Sequence, residues 1–288
     1  MDIKLRIEEA LEEAVSAGET PSAPAGLSAA IRYAVFPAGH RIRPRIALGV
    51  ARACGDDRPG LSAAAAASIE LLHCASLVHD DLPAFDDAST RRGKPSVHRA
   101  FGEPLAVLTG DALIVMAFES LARQAADSPD RLATLIATLG RAVGTPSGIC
   151  AGQAWECESN VDLSAYQRAK TGALFAGAAA AGAGAAGHND PAWLEFGVGL
   201  GEAYQVADDI CDLTADPEQI GKPTGQDQAH ARPNAAQTLG IDGAKKWMAE
   251  LVQRTIDSIP DCPGRDGLRS MVLAEGGKIL PKGLVRAA

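Results

Sequence analysis

Between His79 and His98 the chain reads HDDLPAFDDASTRRGKPSVH. Four aspartates, Asp80, Asp81, Asp86 and Asp87, fall within eight residues, and Arg91, Arg92 and Lys94 follow them. Carboxylates at that density repel one another in a folded protein unless a cation lies between them. A solvated acidic loop ahead of a basic turn has the same composition, so the stretch alone does not decide. Its approach adds information. In SIELLHCASLVHDD, His73 and Asp80 are seven residues apart and share one helix face, with Ser76 and Leu77 between them near that face. Pro83 does not fit inside a continuing helix. A distortion at Leu82–Pro83 would bring Asp80 and Asp86, six residues apart, back to one site.

A second acidic cluster stands far downstream, YQVADDICDLTAD, with Asp208, Asp209 and Asp212. Asp208 and Asp212 are i,i+4 neighbours, preceded on roughly the same face by Tyr204 and Gln205. The surrounding GLGEAYQVADDIC is otherwise apolar, so these carboxylates belong to a helix that buries most of its girth. Buried carboxylates without partners are costly, which favours a metal or a polar cavity beside them. Two such clusters suggest one shared site for hard divalent cations. Magnesium takes oxygen ligands and is commonly held by a few carboxylates plus substrate phosphates. No His/Cys arrangement with zinc spacing competes. Arg91, Arg92, Lys170, Lys222 and Arg232 then read as phosphate contacts. There is no GxxxxGK[ST] loop and no GxGxxG after a strand, so a nucleotide-type cradle is not indicated.

The elements that must position these groups are helical. Alanine runs such as Ser62–Ala67 and Ala176–Ala186, with little period-two alternation, indicate an all-α protein. Helices are expected near 2–17, 25–36, 43–54, 61–81, 103–126, 129–144, 147–157, 163–187, 191–214, 234–259 and 265–276. The uncharged run Thr171–Gly187 reads as a buried helix whose small side chains let neighbours approach. Residues 217–233, PEQIGKPTGQDQAHARP, read as a flap between two helices. No composition shift marks a boundary, so residues 1–288 are expected to form one domain.

Net charge is −9 with no basic tail, which disfavours nucleic-acid binding. The six cysteines, Cys54, Cys74, Cys150, Cys157, Cys211 and Cys262, form no CxxC pair. They suit reduced thiols in a cytoplasmic protein. The N-terminal stretch MDIKLRIEEALEEAVSAG is an amphipathic acidic helix, and no stable membrane insertion is expected.

Taken together, the motifs resemble the trans-isoprenyl diphosphate synthases, or polyprenyl synthetases. DDLPAFD looks like their first aspartate-rich motif in its DDxxxxD form, followed by RRG, and YQVADDICD looks like the second. GHRIRP (39–44), LLHCASLVHDD, GQ (152–153), KTG (170–172) and GKPTGQD (221–227) fall in the family's order, so the resemblance covers about residues 33–240. It is strongest to bacterial geranylgeranyl diphosphate synthases of carotenoid and bacteriochlorophyll pathways.

The resemblance implies long antiparallel helices around a deep central cavity, a homodimer, and head-to-tail condensation of isopentenyl diphosphate with an allylic diphosphate (dimethylallyl, geranyl or farnesyl). It implies that Asp80, Asp81, Asp86, Asp208 and Asp212 hold Mg2+ on the allylic diphosphate, with Arg91, Lys170 and Lys222 as direct contacts. His40, Arg43, His73 and Arg92 fall to the isopentenyl diphosphate side, and Thr171 and Gln205 border the nascent carbocation. Asp209 acts, if at all, through water. Ala75 lies five residues before Asp80, about 7.5 Å along the helix axis. Because Ala75 and Ser76 are small, the channel is expected to admit a twenty-carbon chain. The chain departs from the family at His40, Gln226 and Arg232, where lysine is common, and at Ala88 and Ser89, where aspartate is common. A farnesyl diphosphate synthase and a non-catalytic partner subunit are the alternatives. A terpene cyclase would carry a different second metal motif and lack GHRIRP.

Overall fold

The computed structural model describes residues 2–36, 39–160, 163–214 and 234–279. The helices are α1 (Ile3–Ser16), α2 (Ala25–Val35), α3 (Ile42–Ala53), α4 (Pro59–Asp80), α5 (Val97–Phe101), α6 (Glu103–Gln124) and α7 (Pro129–Val143). They continue with α8 (Ile149–Ala154), α9 (Leu163–Gln167), α10 (Ala173–Ala185), α11 (Ala192–Thr214), α12 (Ala235–Asp257) and α13 (Arg265–Ile279). The strands among the described residues are the short antiparallel pair β1 (Thr90–Arg91) and β2 (Lys94–Pro95). The all-α expectation holds.

The chain divides into two compact units, Met1–Gly140 with Ala181–Asn189, and Arg141–Ala180 with Asp190–Ala288. In the first, α1 is capped by Asp2, whose Oδ1 accepts the Lys4 N–H at 3.0 Å, and it buries Ile7, Leu11, Ala14 and Val15 at helical spacing. Helix α4 starts at Pro59, whose missing N–H is no loss in the first turn. It is the core helix of the unit, with Leu61, Ala65, Ile69, Leu71 and Leu72 all buried. Each of those Ile and Leu side chains contributes about 1.5–3 kcal/mol. Small residues let α6 come close: the Ser68 hydroxyl donates across to the Ala117 carbonyl at 2.7 Å, and Gly110 leaves room for the His79 ring. The alanine-glycine run behaves as expected. A Cβ on Gly182 would strike the Ala47 carbonyl of α3.

In the second unit the close approach recurs between α11 and α10, where a Cβ on Gly197 would stand 2.5 Å from the Ala176 Cα. Helix α11 packs on α12 through Ala203, Val206, Ala207 and Ile210 against Ala244, Met248 and Leu251. Asn234 caps α12, its Oδ1 accepting the Gln237 N–H at 3.0 Å. The expected single helix 163–187 is interrupted, because residues Arg168–Gly172 form a π turn between α9 and α10.

Candidate functional site

Helix α4 ends at Asp80, as Pro83 requires. Beyond it the backbone closes on itself: Leu82 N–H donates to His79 C=O at 3.1 Å, Phe85 N–H to Leu82 C=O at 2.9 Å, and Asp86 N–H to Asp80 C=O at 3.0 Å. The Asp80 and Asp86 carboxylates reach within 4.8 Å of each other. The expected fold-back therefore occurs, by helix termination and a tight turn. Two carboxylates that close, both offering hard oxygen donors, fit a divalent cation such as magnesium.

Asp81 sits about 100° round the helix from Asp80 and turns inward. The family resemblance implies a metal ligand here, and in the structure both its oxygens accept from Arg91. Arg91 Nε donates to Oδ1 at 3.0 Å and Oδ2 at 3.2 Å, and Nη2 to Oδ1 at 2.5 Å. Asp81 is 1% exposed, and burial pushes its carboxyl above the ordinary range although Arg91 pulls it down. Removing either partner would leave a buried charge uncompensated, at about 3–5 kcal/mol.

The Arg-Arg-Gly segment is a two-residue hairpin in which Arg92 (φ 53) and Gly93 (φ 76) both take positive φ, as the tightest hairpin turn demands. An arginine in that region is uncommon, and here it separates two adjacent guanidiniums. Arg91 turns to Asp81, while Arg92 lies against Gly39, where an added Cβ would meet its Nε at 3.0 Å. Gly39 thus makes room for the guanidinium.

Arg43 in the first turn of α3 donates from Nη1 to Nε2 of His73 at 3.3 Å. A guanidinium only donates, so Nε2 accepts and the ring proton sits on Nδ1. Burial, and then the charges of Arg43, Arg92, Arg91 and Arg41, hold the His73 imidazole well below its ordinary value, so it is neutral near pH 7. His40 is exposed beside them. Arg43, His73, Arg91 and Arg92 are therefore brought together with the acidic turn. A cavity there is lined by Tyr33, Cys74, Asp81, Arg91, Arg92 and Lys94. Lys94 is tied down, donating to the carbonyls of Tyr33 at 3.0 Å and Phe36 at 2.9 Å. Ala75 is buried on α4, and the Ser76 hydroxyl donates to the His73 carbonyl at 2.9 Å.

In the second unit, Lys170 and Thr171 ride on the π turn, a distortion often found at functional positions. Gly152 of α8 permits it: a Cβ there would stand 2.5 Å from the Lys170 nitrogen. The Lys170 ammonium is bonded to Glu156, which also accepts the Tyr166 hydroxyl at 2.6 Å and the Gln153 amide at 3.2 Å. Thr171 Oγ1 donates to Gln205 Oε1 at 3.0 Å, and Gln205 Nε2 donates to Asp209 Oδ1 at 2.9 Å, fixing the amide at both ends. Asp209 is buried and accepts the Ala235 N–H at 2.8 Å, so it fastens α11 to the start of α12. Asp208 and Asp212 share the α11 face expected of them, Asp208 half-buried and Asp212 buried.

Lys222, Gln226 and Arg232, with the expected flap at 217–233, lie outside the described residues. Sequence reasoning missed Arg41, Glu70 and Glu156. The only signal for Glu156 was its place three residues after Gln153 in the Gly-Gln segment. Arg41 stood in view inside GHRIRP without a partner to give it meaning.

The polyprenyl synthetase family model matches residues 24–263. The chain is 56% identical, over 98% of its own length and 98% of the relative's, to a geranylgeranyl diphosphate synthase of Cereibacter sphaeroides. It is 53% identical, over 97% of each chain, to one of Rhodobacter capsulatus. Among solved structures, a geranyltransferase of Helicobacter pylori complexed with magnesium and isoprenyl diphosphate superposes with a TM-score of 0.79, at 28% identity over 96% of this chain and 98% of that one.

Proposed function

The chain belongs to the polyprenyl synthetase family, and from that premise we propose that it joins an allylic diphosphate head to tail with isopentenyl diphosphate to give geranylgeranyl diphosphate. It is a prenyltransferase that elongates prenyl chains. The observation that carries the reading is the return of Asp86 onto Asp80 beside the Arg43–His73–Arg92 cluster. Anion-binding groups and paired carboxylates together suit a metal-bound diphosphate and a second diphosphate.

Asp80 and Asp86, with Asp208 and Asp212, would hold magnesium, which when bound neutralises the charge that grows on the leaving diphosphate. Asp81, the further ligand that the resemblance implies, also holds Arg91 in place. Lys170, with Lys222, would add a cationic contact to the same leaving group. Arg43, His73 and Arg92, with His40 and Arg232 as further candidates, would take the diphosphate of isopentenyl diphosphate. The allylic C1–O bond breaks, the isopentenyl double bond attacks C1, and a proton leaves C2 of the added unit to the departing pyrophosphate. The oxygens of Thr171 and Gln205 would face the cation between those events.

Residues 1–288 act, in this reading, as one synthase domain, in keeping with a family match that runs unbroken from 24 to 263. Ala75 and Ser76 leave room for a twenty-carbon chain, in keeping with the names of the two relatives above. The assembly would be a homodimer: α6 displays Val107, Leu108 and Val115 to the outside. Helices α4 and α6 are both long and apolar enough to cross a membrane. Yet α4 is a core helix, and α6 carries Asp111, Glu119 and Arg123 among its exposed residues, which suits a protein partner better than lipid. Its six cysteines are free thiols, as a cytoplasmic location would have them. Nucleic-acid binding and stable membrane insertion form no part of this reading.

Purified protein incubated with isopentenyl diphosphate, magnesium and each short allylic primer, with products separated by chromatography, tests the reading. A twenty-carbon diphosphate is expected. A fifteen-carbon end product would make it a farnesyl diphosphate synthase, a cyclic hydrocarbon a cyclase, and no product a silent subunit. Ala75→Tyr is expected to shorten the product, and unchanged length would remove Ala75 as the floor.

A further inference from the structure

The first unit holds a buried carboxylate that the reaction as written does not use. Glu70, in the middle of α4, is 2% exposed. Its Oε1 accepts from Arg41 Nη1 at 2.7 Å, and Arg92 Nη2 stands 3.7 Å from the same oxygen. Arg41 is itself buried, in a left-handed conformation (φ 50) at the start of α3. It also donates to Glu8 at 3.0 Å and 3.3 Å and to the Val35 carbonyl at 2.9 Å. A buried carboxylate is retained only when it is well paired, and Glu70 is placed between two guanidiniums rather than one.

Its position on the helix gives this arrangement a purpose. Glu70 lies three residues before His73, one turn below it on α4. Around His73 the charges of Arg43, Arg92, Arg91 and Arg41 all bear on the imidazole. Four guanidiniums at such range push one another toward water unless a negative charge holds some of them. Glu70 is that charge for Arg41 and Arg92. Arg92 is steered from two sides, by the Gly39 backbone against its guanidinium and by Glu70 at its tip. Arg41 carries the same restraint into the segment between Gly39 and Arg43, since its backbone caps α3 while its side chain is anchored on α4.

We propose that Glu70 is a positioning residue for the isopentenyl diphosphate subsite: it aims Arg92 directly, and through Arg41 the segment that carries His40 and Arg43, while touching no substrate itself. The proposal rests on the reading that Arg43, His73 and Arg92 take that diphosphate.

Steady-state kinetics on Glu70→Gln, with Arg92→Ala beside it, tests both levels. Glu70→Gln is expected to raise KM for isopentenyl diphosphate about tenfold, with KM for the allylic primer and kcat changed less than about threefold. A uniform fall in kcat with both KM values unchanged would mark a general loss of folded enzyme and overturn the proposal. Because Glu70→Gln leaves Arg41 short of a partner, the double variant Arg41→Gln with Glu70→Gln is measured too, together with urea midpoints. The double variant restores the buried charge balance but still leaves Arg92 unanchored. Its KM for isopentenyl diphosphate therefore stays raised while its midpoint recovers, and this holds as the test even if the single variant does not fold. Recovery of KM along with stability would reduce Glu70 to a structural role and overturn the proposal. If Arg92→Ala raises that KM and Glu70→Gln does not, the subsite reading stands and the proposal fails. If Arg92→Ala leaves KM unchanged, the subsite reading itself fails and the proposal with it.

Discussion

Replacing Gly152 by alanine isolates geometry from chemistry, since it adds one methyl group and removes no charge. The added Cβ would lie 2.5 Å from the Lys170 nitrogen, 2.6 Å from its Cα and 2.9 Å from the Ala169 carbonyl carbon. Comfortable separation is about 3.5–4.0 Å, so α8 and the π turn must part by about 1 Å. Backbone stands on both sides, and no rotamer change relieves the clash. Overpacking of this kind costs about 1–3 kcal/mol. The better helix propensity of alanine offsets up to about 1 kcal/mol of it. The net loss of stability is therefore about 0–3 kcal/mol, and the folded enzyme survives. Activity responds more strongly. A shift of about 1 Å carries Thr171 beyond hydrogen-bonding distance of Gln205, now 3.0 Å away, and displaces Lys170 with it. Misplacement on that scale lowers turnover about 10²-fold. The assay is kcat for chain elongation alongside the urea midpoint, with Gly267→Ala in α13 as control, because nothing lies within 4 Å of a Cβ there. If Gly152→Ala turned over within about threefold of the parent, the claim that backbone contact positions Lys170 and Thr171 would be refuted.

Asp209→Asn should destabilise the fold by about 1–3 kcal/mol and lower kcat, because an amide cannot accept both the Ala235 N–H and the Gln205 amide that the carboxylate now accepts; an unchanged urea midpoint would contradict this. His73 is held well below its ordinary 6.5 by burial and the surrounding arginines, so between those values the unfolded chain binds the proton and the folded one does not. Stability should therefore decline as pH falls below about 6.5, and His73→Gln should flatten that slope in urea melts at several pH values. Burial, with Glu70 nearby, pushes the Cys74 thiol up to about 11, so maleimide near pH 7 should label the exposed Cys150 and Cys157 and leave Cys74 unmodified until the protein is denatured, as peptide mass mapping would show. His40→Lys should lower KM for isopentenyl diphosphate by about fivefold at most, since an exposed unit charge contributes about 1 kcal/mol in water; a larger gain would mean that residue 40 is desolvated in the complex.

The long helices were legible because their signals are local. Expected spans 61–81 and 103–126 meet α4 at Pro59–Asp80 and α6 at Glu103–Gln124. The end of α4 was legible for the same reason, since Pro83 is a steric fact about one residue. The π turn at Arg168–Gly172 was not, because nothing in the run 163–187 marks it and the close approach that accommodates it is permitted by the distant Gly152. The hairpin at Thr90–Pro95 was missed because it is too short for alternation to register and turns on an arginine at positive φ. Within the site, the aspartates were read from spacing and the roles of Arg43, His73 and Arg92 from the family resemblance, but their restraints were not. Arg41–Glu70 joins residues 29 apart, and Thr171–Gln205 residues 34 apart. Such pairings have no periodicity to reveal them. Asp81 is a further case: its place in the acidic motif suggested a ligand, but its pairing with Arg91, ten residues on, could not be read from the motif.

These failures share a physical cause that also explains why His40 can depart from the family's usual lysine. The shape of the segment from Gly39 to Arg43 is set by features that do not involve the side chain at 40. Gly39 lets the Arg92 guanidinium sit close, since an added Cβ would stand 3.0 Å from its Nε and press it aside, and Arg41 takes a left-handed conformation while its side chain is held by Glu8 and Glu70. With both neighbours fixed, residue 40 is left exposed, and exchanging lysine for histidine there alters charge without altering geometry. Gly152 plays the same part for Lys170. In each case a residue with no chemistry of its own fixes the backbone, and the reactive side chain follows. Substitutions at the charged positions should therefore act mainly through electrostatics and be graded, while substitutions at Gly39 and Gly152 should act through displacement.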